Sequence, residues 1–239
     1  MPVSTTAAPC RVDLRPRAER GETRAPGVAG HHHFCFAGFQ RSDRMCWGAL
    51  RMLSLYDMTP GGERPAHFLA GFEVVTIVLG GRWRRTGDLP AAAAFGANAA
   101  ELVSTGVGAA LGGSVSGGAD ASLLEIWVAS QKPLRLPRRQ SVLRRRTDLS
   151  RPIATGAPAE SDALCWDSVA RLHYGWLEPG DNFRCRLEYA ELGFLFVVDG
   201  VVTANATIAQ AGDGVAASGP GNFQVKAVER ARLVWLRGL

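Results

Sequence analysis

Hydrophobic positions along this chain fall in short apolar or alternating runs, each closed by glycine or proline. Residues 34–39, 47–56, 72–79 and 123–128 read as strands, and residues 58–62 (Met-Thr-Pro-Gly-Gly) as a turn. The run 72–79 is β-branched and too short for a helix. Gly80-Gly81 ends it, and Arg82-Trp83-Arg84 alternates like the returning strand of a hairpin. A second strand-rich block holds the runs 169–177, 183–189, 192–198, 201–206, 214–217 and 233–236, with a Glu178-Pro-Gly180 turn after the first. Strands at this spacing, with little helical periodicity, predict an all-β sandwich or barrel. The blocks echo one another. Val75-Thr-Ile-Val-Leu-Gly-Gly-Arg82 and Leu195-Phe-Val-Val-Asp-Gly-Val-Val202 both read as strand, glycine turn, strand, which predicts a duplicated barrel.

Between the blocks, residues 134–160 are rich in Arg, Pro and Ala and read as a basic linker; residues 1–11 read as a leader. The expected organisation is therefore a first barrel over 12–133 and a second over 161–239. The second is short for closure and is expected to borrow strands from the linker or the N-terminal segment. No apolar run approaches the roughly 18 residues of a membrane span, and no secretory signal is visible at the N-terminus, so the expected location is cytoplasmic. Composition is globular, with 46% hydrophobic and 21% charged residues. Five cysteines without C-x-x-C spacing predict reduced, mostly buried thiols.

The net charge of +5 is concentrated in Arg135, Arg138, Arg139, Arg144, Arg145, Arg146 and Arg151. Prolines at 133, 137 and 152 interrupt that run and no aromatic residue interleaves with it. Solvated linker arginines are therefore expected in preference to nucleic-acid binding.

Gly61-x5-His67-x-Leu69-x3-Glu73-x6-Gly80 follows the cupin pattern G-x5-H-x-H-x3-E-x6-G with one substitution. Even spacing of 67, 69, 71 and 73 would point all four into the barrel if they lay on one strand. Around this motif the chain resembles the pirin family. Leu14-Arg-Pro-Arg-Ala-Glu-Arg-Gly21, His33-Phe-Cys-Phe36, Trp47-Gly-Ala-Leu-Arg-Met52, His67 through Gly81, Val103-Ser-Thr-Gly-Val-Gly108, Ile126-Trp127 and Ala211 through Ala217 occur in the family's order. The resemblance implies a bicupin, two cupin-type jelly-roll barrels. It also implies four metal ligands, whose places here are His67, Leu69, Leu111 and Gly113; one donor of four survives. Asp is lost at Gly71, and Glu73 is not a family ligand. The expectation is thus a site without a metal or other cofactor. The pocket would be lined by His67, Leu69, Glu73, Leu111 and Gly113, with His67 hydrogen-bonded to Glu73.

Such a protein would act by binding a small apolar or aromatic molecule or a protein partner, as a regulator. The competing reading is a metal-dependent, quercetin 2,3-dioxygenase-like enzyme, and the third is weak nucleic-acid binding through the arginines. Weaker signals have ordinary readings. In His31-His32-His33, His33 reads as structural and the others as loop. The glycines from 106 to 112 read as a cupin turn in preference to a dinucleotide fingerprint. His173 reads as core or surface, and Asn205-Ala-Thr207 is a glycosylation sequon only in a secreted chain.

Overall fold

Two glycines mark the same corner in the two halves of the chain. Gly81 (φ +70°) turns the strand Phe72–Gly80 into Arg82–Gly87, and Gly200 (φ +82°) turns Leu192–Asp199 into Val201–Ala204. A Cβ at Gly81 would sit 2.2 Å from the Asp120 carbonyl oxygen; at Gly200 it would sit 2.2 Å from that of Arg230. Only glycine fits either corner. The echo read in the sequence is therefore a repeated piece of backbone geometry.

The computed structural model describes residues 8–90, 93–143, 149–156 and 162–239. It is built of strands, with two short 3-10 turns at Arg17–Glu19 and Ser42–Arg44. Among the described residues, no helix is long and apolar enough to cross a membrane. The fold is an all-β bicupin, and its contacts divide into two units.

The first unit, formed by described residues of 20–146 and 153–169, has two antiparallel sheets. In the larger, the order is Arg138–Leu143, Ala99–Ser104, Phe72–Gly80, Ala121–Ala129, Leu50–Met58, Val28–His32, Gly21–Ala25. In the smaller it is Glu63–Leu69, Ala109–Val115, Arg82–Gly87, Phe95–Gly96.

The second unit takes described residues of 1–19, 147–152 and 170–239. Its larger sheet runs Arg11–Arg15, Gly214–Ser218, Leu192–Asp199, Ala231–Arg237, Arg171–Leu177; its smaller one runs Asn182–Leu187, Gly221–Ala227, Val201–Ala204, Thr207–Gln210. Between them lies a core of Leu187, Val197, Val215, Phe223, Leu233 and Trp235, with Trp235 stacked on Phe223 at 4.4 Å.

These contacts cut across the expected sequential boundaries. Arg11–Arg15 starts inside the expected leader and pairs with Gly214–Ser218, so the second barrel does borrow an N-terminal strand. Strand pairing satisfies backbone groups that a free leader would leave to water. Residues 138–143 of the expected linker form an edge strand, with Arg138 opposite Ser104.

The first-half arginines are not free linker charges. Arg135 and Arg138 bond Asp167, and Arg139 donates to the Pro90 carbonyl. Arg144, Arg145 and Arg146 lie outside the described residues. Residues 34–39 form a turn held by reciprocal Phe36–Phe39 backbone bonds instead of the expected strand. The five cysteines are free, but only Cys10 is buried. His173 is core, bonded through Nδ1 to the Leu149 carbonyl oxygen. Gly106 and Gly108 stand at a turn, as expected, where a Cβ at Gly106 would stand 1.8 Å from the Arg135 carbonyl oxygen, whereas Gly112 lies inside the strand Ala109–Val115.

Candidate functional site

Antiparallel pairing puts opposite residues on one face. Leu111 lies opposite His67 and Ala109 opposite Leu69, so His67, Leu69, Ala109 and Leu111 all project into the first barrel. Gly113 lies opposite Arg64 beyond a bulge. Four of the five expected site residues thus share one wall.

Glu73 is the exception. Gly71 (φ +76°) turns the chain out of Glu63–Leu69 and into Phe72–Gly80, which belongs to the other sheet. The even-number rule stops at that turn. Val74 and Thr76 face inward with their partners Val103 and Glu101, and Glu73 faces away. Its carboxylate accepts from Ser104 Oγ (2.6 Å) and Ser130 Oγ (2.7 Å). The expected His67–Glu73 hydrogen bond is replaced by these two.

The place that the resemblance assigns to metal ligands is lined with hydrocarbon. Met52, Leu69, Val74, Val103, Ala109, Leu111 and Trp127 form one buried cluster, with Phe36, Phe72 and Leu89 against it. At Gly113 a Cβ would stand 2.1 Å from Cζ2 of the fully buried Trp83, so that indole occupies the place of a fourth donor. Among the described residues no three His, Cys, Asp or Glu side chains converge as metal ligands do. One imidazole among leucines does not fit the divalent metal site that the resemblance implies.

His67 is the polar group at the cluster's edge. Its Nδ1 lies 3.4 Å from the Pro65 carbonyl oxygen, which can only accept, so a hydrogen bond there needs the proton on Nδ1. Among the described residues, Nε2 is buried without a hydrogen-bond partner. The ring is 5.7 Å from Trp127 and 6.3 Å from Phe36, and Trp127 is 5.7 Å from Phe72. The result is an aromatic collar around the ring nitrogen Nε2.

Below the collar lies a charged layer that sequence reasoning missed, because its partners are far apart along the chain. Arg64 makes a two-pronged pair with Glu125 (2.8 and 2.9 Å) and stacks 3.9 Å over Tyr56. Arg85 bonds Glu101 at 2.7 Å and also Thr76. Trp127 Nε1 donates to Glu125 at 3.0 Å, which ties the collar to the charges. All four charged side chains are buried. Alternating residues supplied the only available signal: Glu125 and Trp127 share the inward face of one strand.

Beside this layer His32, read from sequence as loop, is the fully buried member of the histidine triplet. It sits between Ser54 Oγ (2.7 Å) and Thr23 Oγ1 (2.9 Å). His31 lies at the surface 3.6 Å from Glu22, and buried His33 donates its backbone N–H to Leu53. Burial, then the positive charge of Arg64, holds the His32 imidazole down at about 4 from an ordinary 6.5. The unfolded chain therefore takes a proton near pH 6.5 that the folded one refuses until about pH 4. The parent should lose stability as pH falls through that window. His32→Gln keeps a donor and an acceptor and should lose less between pH 7 and pH 5, measured by urea unfolding. An equal loss in both proteins would show that His32 does not titrate this way.

Comparison with known proteins supports the architecture. Residues 157–236 match the family model of the quercetinase C-terminal cupin domain. A pirin-like protein of Caulobacter vibrioides is 25% identical over 226 residues, covering 93% of this chain and 97% of that protein. The bacterial pirin YhhW of Escherichia coli, solved in complex with nickel(II), superposes with a TM-score of 0.89 at 19% identity, over 95% of this chain and 98% of that one. A quercetin 2,3-dioxygenase from Acinetobacter baumannii gives 0.76 at 17% identity, over 98% of this chain and 87% of that one.

Proposed function

We propose that this chain, a pirin-like bicupin, works by binding and not by metal-dependent oxygenation. Its first barrel would take a small apolar or aromatic molecule bearing one hydrogen-bond donor. The observation that carries this reading is the buried Nε2 of His67, without a partner among the described residues, inside the Phe36, Phe72 and Trp127 collar. With the proton on Nδ1, Nε2 accepts a hydrogen bond from a hydroxyl, and a ligand that supplies one makes a bond that none of the described residues makes. The ring faces supply the remaining affinity through apolar burial and offset stacking.

The names of the relatives favour a second reading, a quercetin 2,3-dioxygenase activity. One experiment separates the two. Protein purified without added metal should hold far less than one equivalent of iron, nickel, copper, zinc or manganese by elemental analysis, and should not turn over quercetin. Titration of 1-naphthol, followed by tryptophan fluorescence, should show saturable binding. It should weaken about tenfold in His67→Ala and about tenfold for 1-methoxynaphthalene, which lacks the hydroxyl. Near-stoichiometric metal that disappears in His67→Ala, together with quercetin turnover, would overturn the binding reading in favour of the enzyme.

A further inference from the structure

Large apolar side chains that stay exposed on a folded surface carry information when they are contiguous. In the first unit Phe68, Val107, Leu134 and Leu136 are 51–87% exposed. They belong to three segments that touch. The Val107 N–H bonds the Arg135 carbonyl at 2.9 Å, so Val107 sits beside the leucines flanking Arg135. The Phe68 ring covers Gly108, where a Cβ would stand 2.0 Å from its Cζ. Gly106 and Gly108, both at positive φ, permit these close approaches, and the backbone bond holds the Leu134 and Leu136 segment against Val107.

Cations border this apolar surface. Lys132 Nζ, Arg135 and Arg138 converge on the single carboxylate of Asp167 at 3.3, 3.1 and 3.1 Å. The Asp167 side chain is only 7% exposed, whereas the cations are 54%, 52% and 35% exposed. Three positive charges against one negative leave an excess of two facing water. These groups already present donors at carboxylate spacing.

We infer that this surface docks an acidic amphipathic segment of a partner protein. The partner's apolar side chains would cover Phe68, Val107, Leu134 and Leu136, and its Asp or Glu residues would lie along Lys132, Arg135 and Arg138. Charge complementarity selects this occupant over an anionic membrane. An excess of two charges is well short of the roughly four to eight basic residues that hold a protein on anionic lipid, whereas a protein interface needs an apolar centre and a charged rim. The patch lies outside the His67 collar, so its failure and the failure of the collar reading are separable.

The test is fluorescence anisotropy with a labelled amphipathic peptide of leucine and glutamate, a lysine counterpart, and phosphatidylserine vesicles. The glutamate peptide should bind the full chain and the lysine peptide should not. Binding should weaken about tenfold in Leu134→Ser/Leu136→Ser and about tenfold in Arg135→Glu, and should fall in about 0.5 M salt. All three substitutions are at exposed tips, and unchanged thermal unfolding would show that the variants fold. Failure of the glutamate peptide to bind, equal binding by the variants, or variant-sensitive binding of vesicles alone would overturn the proposal.

Discussion

Glu125→Leu is expected to cost the protein about 3–5 kcal/mol of unfolding free energy, the range for stripping one partner from a buried ion pair. Glu125 is 2% exposed and takes both prongs of Arg64, the Trp127 indole N–H and a 3.6 Å approach from Arg85. Without it, Arg64 keeps a buried charge with no carboxylate opposite. Removing both members, as in Arg64→Met/Glu125→Leu, eliminates the desolvated charge as well as its partner. That variant should recover more than half of the single variant's loss, because Arg85 retains Glu101. Urea unfolding of the parent, both singles and the double gives the cycle. A double variant no more stable than Glu125→Leu would mean that the layer is not an ion pair in energetic terms.

The same carboxylate sets an acid limit. Burial alone would raise its pKa; the charges and hydrogen bonds of Arg64, with Arg85 and Trp127, more than offset that and hold it at about 2 from an ordinary 4.5. A carboxyl depressed on folding stabilises above its unfolded value and loses that contribution as pH falls toward the folded one. The parent's stability should therefore drop between about pH 4.5 and pH 2, and Glu125→Gln should show a shallower drop over that span.

The second large effect concerns metal. Leu69→His/Leu111→His should create a nickel site that the parent lacks. The pairing places both side chains on the wall that carries His67, with Leu111 directly opposite it. Three imidazoles on one wall supply the donors that hydrocarbon now replaces. The two histidines will destabilise the apolar cluster when metal-free. Nickel at about a hundred times its dissociation constant should return roughly 2.7 kcal/mol, visible as a rise in Tm confined to the double variant. Calorimetric titration should give micromolar affinity in the variant and none in the parent. Adding Gly113→Glu should not help, because Trp83 fills that position; the added side chain should lower stability unless Trp83 is trimmed as well. A folded double variant with no gain in nickel binding would mean that the two leucines do not point where His67 does.

The sequence alone determined what each short segment could be. Strand character, the corners at Gly81 and Gly200, and the want of a donor side chain at Leu69, Leu111 and Gly113 depend on residue identity and neighbours in the chain, so they were legible without coordinates. The tertiary structure decided which side chains meet. Parity along a strand predicts a common face only until the backbone turns, and Gly71 turns it; Glu73 therefore left the pocket for Ser104 and Ser130. His32, read from the sequence as loop, became a bonded histidine of the barrel interior because pairing with Leu50–Met58 sets it opposite Ser54. Arg64 and Glu125 stand 61 residues apart, and Arg17 N bonds Asp213 across 196. Nothing local marks such partners, because barrel closure alone brings them within hydrogen-bonding distance, where a buried charge must find its counter-charge or not fold at all.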